Sequence, residues 1–145
     1  MNLRSLLIVT FSRFHTLVLR LTRGKLMRRL MGLDMLLLTT VGRKTGQKRY
    51  TPLLFKKIEG CFYCAGSFGG SDKPPHWYSN ILSNPSVKIL AEGRTFRAQA
   101  HILEGNAKAD AWNSLIDLYP NFQKYQNRTD RVIPIVKFEG KANCD

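Results

Sequence analysis

The connection at residues 42–46, between two apolar runs, is the feature that most constrains how this chain can fold. It reads G-R-K-T-G, and Gln47, Lys48 and Arg49 follow it. Glycine adopts positive φ at little steric cost, so a loop with a glycine at each end can turn tightly and direct backbone N–H groups towards a ligand. The flanking runs have β-type composition, which predicts a tight turn between two strands.

The same loop carries the residue types that hold a phosphate. Arg43, Lys44 and Arg49 supply positive charge, and Thr45 supplies a hydroxyl. Such cations form charge-assisted hydrogen bonds with phosphate oxygens. A Walker A loop is excluded, because it needs four residues between its glycines and a lysine after the second one. The sequence predicts an anion-binding hairpin, and the alternative for the loop taken alone is a solvated basic turn.

From residue 34 onward, short β-type segments alternate with turn signals. The predicted strands cover 35–40, 48–58, 61–67, 86–91, 95–103 and 131–139, with helices at 3–21, 76–83 and 106–118. Strands joined mainly by tight turns favour an antiparallel barrel over a βαβ nucleotide-binding fold. We therefore predict an α+β fold with a six-stranded antiparallel barrel, an N-terminal helix and two inserted helices. The predicted organisation is an arm at 1–33, the barrel at 34–140 and a tail at 141–145.

The arm is unusually basic. The chain has a net charge of +13, and residues 1–33 contain seven Lys or Arg residues and no acidic one. This predicts affinity for phosphate-rich molecules or anionic surfaces. Arg13 and Arg20 interrupt the apolar stretch, so it is too broken to span a bilayer. Two interpretations remain open: a basic amphipathic helix lying on an anionic membrane, or a helix packed across the barrel.

The sequence predicts neither a nucleic-acid partner nor a bound metal ion. Aromatic residues do not interleave with basic ones as in single-strand stacking platforms, so nucleic acid is not expected. The three cysteines, Cys61, Cys64 and Cys144, are an odd number, which predicts unpaired buried thiols and a reducing, cytoplasmic location. No second C-x-x-C accompanies the first, so no metal site is expected.

A second segment, at residues 67–81, combines a glycine pair, a helix N-terminus and a tryptophan in the first helical turn. A helix N-terminus attracts anions, and Trp77 offers a flat apolar face to a ring system. The alternative interpretation is that Trp77 is an ordinary residue of the hydrophobic core.

Three blocks of sequence resemble the deazaflavin-dependent nitroreductase family. They lie in order over residues 36–136 and read LLLTTVGRKTGQKRYTPLLF, GSFGG…PHWYSNILSNPSV and LYPNFQKYQNRTDRVIPIV. The resemblance implies a split β-barrel that binds the reduced deazaflavin coenzyme F-420 and passes its hydride to a quinone, nitroaromatic or activated enone. The alternatives are FMN in place of deazaflavin, or a non-catalytic protein that binds a lipid or an anionic cofactor in the same barrel.

The resemblance also assigns residues to the site. It implies that the coenzyme's phosphate and acidic tail are held by Arg43, Lys44, Thr45 and Arg49. It implies that the deazaflavin ring is lined by Pro52, Ala65, Ser67, His76 and Trp77, and the acceptor by Tyr119 and Tyr125.

Two positions depart from the family pattern. Phe68 stands where several members have a lysine that adds a phosphate contact, and Phe122 stands where some have a tyrosine. Phenylalanine cannot donate a proton, so a reductase of this kind must take its proton from Tyr119, Tyr125 or water.

Overall fold

The computed structural model describes residues 3–21, 29–30 and 32–140 of the 145-residue chain, so the predicted tail lies outside the described residues. The helices are α1 (Leu3–Leu21), α2 (His76–Ser83), α3 (Gly105–Leu118) and α4 (Asn121–Gln126), with a 3-10 turn at Phe68–Gly70. The strands are β1 (Arg29–Leu30), β2 (Leu33–Val41), β3 (Lys48–Leu54), β4 (Lys56–Ile58), β5 (Cys61–Ala65), β6 (Ser86–Ala91), β7 (Arg94–Ile102) and β8 (Ile135–Gly140).

The strands form a curled antiparallel sheet in the order β1-β2-β6-β7-β8-β5-β4, with β3 also paired to β2. All six predicted strands are present, and the split-barrel prediction is confirmed. The predicted strand 48–58 is divided, because β3 pairs with β2 whereas β4 pairs with β5, and the buried Phe55 lies where the chain changes partner. The described part also contains the short β1, which the sequence did not predict.

The predicted hairpin turn between β4 and β5 has the backbone geometry that its residues favour. Glu59 and Gly60 both have positive φ, at 51° and 80°. Two consecutive positive φ values give a turn whose twist matches that of antiparallel strands. The turn therefore sets the register in which Ile58 faces Cys61.

Two apolar clusters hold the helices on the sheet. The first joins the inner face of the sheet to α2 and includes Trp77, Ile89 and Phe138. The second joins α3 and α4 to β5 and β8 and includes Leu115 and Phe122. The clusters place α2 on one side of β5 and α4 on the other, so the segment after β5 runs between them.

Helix α1 packs on the barrel, against β3 and the 3-10 turn. Ser5, His15 and Leu19 face inward and are buried, whereas Leu7 and Phe14 are 62% and 58% exposed. Of the two open interpretations, packing across the barrel is therefore present, although it uses the more polar face of the helix. Within the described ranges, no helix is both long and apolar enough to cross a bilayer.

The cysteines differ from one another. Cys64 is a free thiol in β5, and complete burial raises its pKa above its usual range. Cys61 is disulfide-bonded, so the prediction of an unpaired thiol is wrong at that position. Cys144 lies outside the described residues.

Candidate functional site

A cavity of about 980 Å³ opens between the inner face of α1, the β2–β3 hairpin, the 3-10 turn and the start of α2. The nine residues predicted to contact the coenzyme all line it: Arg43, Lys44, Thr45, Arg49, Pro52, Ala65, Ser67, His76 and Trp77. A smaller adjoining cavity of about 200 Å³ is lined by Tyr119, Phe122 and Tyr125. Residues of β3, β5 and Ser67 line both cavities, so the structure brings the predicted site residues into one region.

The hairpin at residues 42–47 is closed by its own backbone. The N–H of Gly42 donates to the carbonyl of Gln47 at 2.7 Å, and the N–H of Gly46 donates to the carbonyl of Gly42 at 2.8 Å. A Cβ on Gly42 would lie 2.9 Å from the Thr45 hydroxyl and 3.1 Å from the Gln47 carbonyl. Glycine is needed at position 42 because no side chain fits inside this turn.

The Thr45 hydroxyl orients the basic residue that follows the loop. Its Oγ1 accepts from the Gln47 N–H and from Nη2 of Arg49, both at 3.3 Å. The hydroxyl proton remains available to a ligand, since both of these contacts use oxygen lone pairs. Thr45 therefore holds Arg49 near the cavity and can add a donor of its own.

Asn80 on α2 is a site residue that the sequence analysis missed. Its Oδ1 accepts from the backbone N–H and from Nη1 of Arg43, both at 3.2 Å, and its Nδ2 donates to Oγ1 of Thr40 at 3.1 Å. A buried amide with these partners is costly to replace, because each partner would lose a hydrogen bond. The only sequence signal was its place in the WYSN segment, which does not reveal a partner 37 residues away.

The hairpin end of the large cavity is strongly cationic. Among the described residues, its lining includes five Lys or Arg side chains and no acidic one. Arg13 of α1 and Lys48 of β3 belong to this set in addition to the three predicted cations. Convergent positive charge in a cleft raises the local concentration of anions. This end of the cavity is therefore suited to a polyanionic group.

The part of the lining that Trp77 contributes is apolar. Trp77 is only 4% exposed, and its ring lies 6.3 Å from that of Phe138, yet it also lines the cavity. Trp77 is therefore a core residue and a cavity wall at the same time. Of the other predicted lining residues, Ser67 is buried and His76 is exposed at the start of α2.

The segment between Ser67 and α2 has a strained backbone. Phe68, Gly69 and Gly70 all have positive φ, at 44°, 61° and 78°. The left-handed region costs a non-glycine residue about 1–2 kcal/mol, so Phe68 is held there by its surroundings. At Gly70 a Cβ would lie only 2.5 Å from the Tyr125 carbonyl oxygen. The 3-10 turn and α4 are thus in direct backbone contact.

Two tyrosines form the wall of the smaller cavity. The hydroxyls of Tyr119 and Tyr125 are 3.2 Å apart, and the buried ring of Phe122 packs edge-on against both. Burial raises the pKa of Tyr125 to about 12, and the hydrogen bond and charge of Tyr119 add to this, while Arg4 opposes it. Tyr125 therefore keeps its proton at neutral pH and can donate a hydrogen bond.

The three histidines are dispersed over the described structure. His15 lies on the buried face of α1, while Nε2 of His101 on β7 lies 3.2 Å from Glu139, and His101 does not line the cavity. Within residues 3–21, 29–30 and 32–140, no group of three His, Cys, Asp or Glu residues is arranged to hold a metal ion.

Comparison with known proteins gives consistent matches over most of the chain. A family model described as F420H(2)-dependent quinone reductase matches residues 11–139. An F420H(2)-dependent quinone reductase of Mycobacterium tuberculosis (strain ATCC 25618 / H37Rv) is 33% identical over 132 residues, which covers 88% of this chain and 89% of that protein.

Two solved structures are also similar. One, described as an F420-H2 dependent reductase, is 36% identical with a TM-score of 0.68, and the match covers 72% of this chain and 93% of that chain. Another, described as a domain-swapped dimer, is 30% identical with a TM-score of 0.69, over 88% of this chain and 100% of that chain.

Proposed function

Because the chain belongs to the F420H(2)-dependent quinone reductase family, we propose that its large cavity holds the reduced deazaflavin coenzyme between the cationic hairpin and Trp77. The protein is an oxidoreductase that uses coenzyme F420. The quinone binds in the smaller cavity, over the coenzyme ring and against Tyr119 and Tyr125. This placement is supported by one observation: Pro52, Ala65 and Ser67 line both cavities, so the two cavities adjoin.

The residues present fit such a coenzyme. An anionic tail requires several cations without competing acids, which the hairpin end provides through Arg43, Lys44 and Arg49. A planar ring requires a flat, dry wall, which Trp77 and Pro52 provide. In this arrangement Asn80 fixes Arg43, and Thr45 fixes Arg49, before the coenzyme arrives. A preorganised site loses less side-chain entropy on binding.

When bound, the reduced coenzyme supplies a hydride, and with one proton this converts a quinone to a quinol. The chain itself forms no covalent bond and needs no nucleophile. Its residues position the two molecules, exclude water and hold a proton near the quinone oxygen. Tyr125 is protonated and hydrogen-bonded to Tyr119, so the pair can pass one proton to that oxygen and recover it from solvent.

The test is a rapid-mixing measurement of reduced F420 oxidation by a soluble quinone, together with titration of both coenzyme forms by tryptophan quenching. We expect saturable quenching and turnover that requires both coenzyme and quinone. Bound FMN after native purification, or binding of fatty acid without any response to F420, would contradict the assignment. Nitroaromatic and enone acceptors, compared in the same assay, define the acceptor range.

We also propose that α1 rests on an anionic lipid surface. Its outward face presents Leu3, Leu7, Phe14 and Leu21, all more than half exposed and spaced four or seven residues apart. Exposed cations border this face, and the first 33 residues carry no acidic side chain. An apolar stripe edged by arginines matches the boundary between acyl chains and anionic headgroups.

Vesicle sedimentation tests the lipid contact. Wild type is expected to sediment with phosphatidylglycerol vesicles and much less with phosphatidylcholine vesicles, and added salt should weaken the binding. The double variant Phe14→Ser/Leu21→Ser should remain in solution, and neither residue lines the large cavity. The matched control Leu82→Ser/Val132→Ser removes two exposed apolar residues elsewhere and should bind as wild type does. A different result would be that wild type self-associates as its concentration rises and that the α1 double variant abolishes this. That result would identify a second copy of the chain, and not a lipid surface, as the partner of α1.

A further inference from the structure

Arg131, just before β8, reaches across to the segment that follows β5. Its Nε donates to the Ser71 carbonyl at 2.7 Å, and its Nη2 donates to the carbonyls of Ser67 and Gly66 at 2.8 and 3.2 Å. One guanidinium therefore binds three carbonyls of a six-residue stretch. The fixed fork of arginine permits this arrangement, whereas the single ammonium of lysine does not reproduce it.

The backbone of Arg131 is tied in turn to the end of α4. Gln126 donates from Nε2 to the Arg131 carbonyl at 2.8 Å, and the Arg131 N–H donates to Oγ1 of Thr129 at 3.3 Å. Gln126 directly follows Tyr125 in the chain. Arg131 thus connects the helix that carries the acceptor wall with the segment that carries Ser67.

The connected segment needs such support. It contains the strained Phe68 and two further left-handed residues, a conformation that persists only where the surroundings enforce it. Burial lowers the pKa of Arg131 from its ordinary value, and the negative charge of Asp72 opposes this change. The three carbonyls replace water around the buried side of the guanidinium.

We propose that Arg131 is a positioning residue for hydride transfer, which sets the distance between the coenzyme ring at Ser67 and the acceptor at Tyr125. This inference rests on the proposed function. Arg131 touches neither ligand and acts through the carbonyls it holds. Arg131 does not line the cavity that the hairpin cations line, so coenzyme affinity is set largely without it.

The experiment compares Arg131→Met and Arg131→Lys with wild type, using the oxidation of reduced F420 by a soluble quinone. We expect kcat at saturating coenzyme to fall about 100-fold in Arg131→Met, because small displacements of the reacting groups are costly. The coenzyme dissociation constant should stay close to the wild-type value. Arg131→Lys restores the charge but should recover little of the lost kcat. It is also the milder substitution, so it keeps the test possible if Arg131→Met folds poorly.

Arg97 on β7 provides the matched control. It is exposed and distant from the segment, so Arg97→Met should leave kcat unchanged. A double-mutant cycle adds a measurement that loss of stability alone does not move. Arg131→Met and Tyr125→Phe should be non-additive in kcat, whereas Arg97→Met and Tyr125→Phe should be additive.

The outcomes separate the inference from the proposed function. If wild type does not oxidise reduced F420, the proposed function fails. If wild type is active and the Arg131 variants keep wild-type kcat, only the inference fails. Full recovery of kcat by Arg131→Lys, or additivity with Tyr125→Phe, would also overturn the positioning role.

Discussion

The hairpin end of the large cavity and the smaller adjoining cavity, here called the tyrosine end, are built in different ways. At the hairpin end, Arg43, Lys44 and Arg49 are exposed. The loop closes through its own backbone and Thr45 holds Arg49, while Asn80 of α2 adds one distant contact, to Arg43. At the tyrosine end, Phe122 is buried, and the neighbouring backbone is fixed by contacts from residues more than 50 positions away. Under the proposed function, we expect the hairpin to set coenzyme affinity and the tyrosine end to set the rate of the reaction. Mutations at the two ends should therefore change different kinetic constants.

The largest expected effect comes from Lys44→Ala with Arg49→Ala. Two charge-assisted contacts, each worth about 1.5–3 kcal/mol, are lost. Coenzyme affinity should fall by about 100-fold or more, with kcat at saturation nearly unchanged. Tryptophan quenching measures the dissociation constant.

Lys88→Ala with Arg94→Ala is the matched control, because it removes the same charge from exposed positions on β6 and β7. It should bind the coenzyme as wild type does. If the control weakens binding equally, the effect belongs to net charge and the comparison between the two ends fails.

The reverse pattern is expected for Tyr119→Phe with Tyr125→Phe. Removing both hydroxyls takes away the positioned proton donor, so kcat should fall by about 100-fold. The coenzyme dissociation constant should not change, since neither hydroxyl is at the hairpin end. Steady-state kinetics with a soluble quinone measure both quantities, with Tyr63→Phe as a control. A kcat equal to that of wild type would show that water supplies the proton.

A smaller effect is expected from Phe68→Lys, which places a cation between the two ends. One added charge-assisted contact should tighten coenzyme binding about tenfold. Phe68→Met removes the ring at the same left-handed position without adding charge, so it serves as the control. Equal affinities for the two variants would show that position 68 does not reach the anionic part of the coenzyme.

The smallest effect concerns pH. The pKa of Tyr125 is raised from 10.0 to about 12, so the folded protein holds this proton where the unfolded chain has lost it. The resulting stabilisation is fully present below pH 10 and is lost as pH rises towards 12. Denaturant unfolding at several pH values should show a shallower decline for Tyr125→Phe. A decline identical to that of wild type would contradict the raised pKa.

The sequence predicted the hairpin end well because the information there is local. The glycine positions, the cations and the strand periodicity all lie within residues 36–54, and β2 and β3 pair in register across the predicted turn. The helix at 76–83 was predicted with the observed bounds, because Pro75 and Asn84 mark its ends. The prediction of one continuous strand at 48–58 was wrong, because the chain changes its pairing partner at Phe55. Such a change does not alter the alternation of apolar and polar side chains, so the sequence does not reveal it.

The tyrosine end was predicted only through the family resemblance. Spacing of three among Tyr119, Phe122 and Tyr125 fits an ordinary packing stripe, and Phe122 indeed packs in the core. Asn80 and Arg131 were missed because their partners are distant in sequence. Hydrogen bonds to backbone carbonyls, such as those of Arg131, require no particular side chain on the partner.

The contact at Gly70 limits how this enzyme can vary. Its Cα lies so close to the Tyr125 backbone that even a methyl group would force α4 away. This main-chain contact therefore sets a lower limit on the gap between the 3-10 turn and α4, which the Arg131 side chain also holds. Adaptation to bulkier or slimmer acceptors would have to come from side chains around the rim, since the spacing itself leaves no room for gradual adjustment.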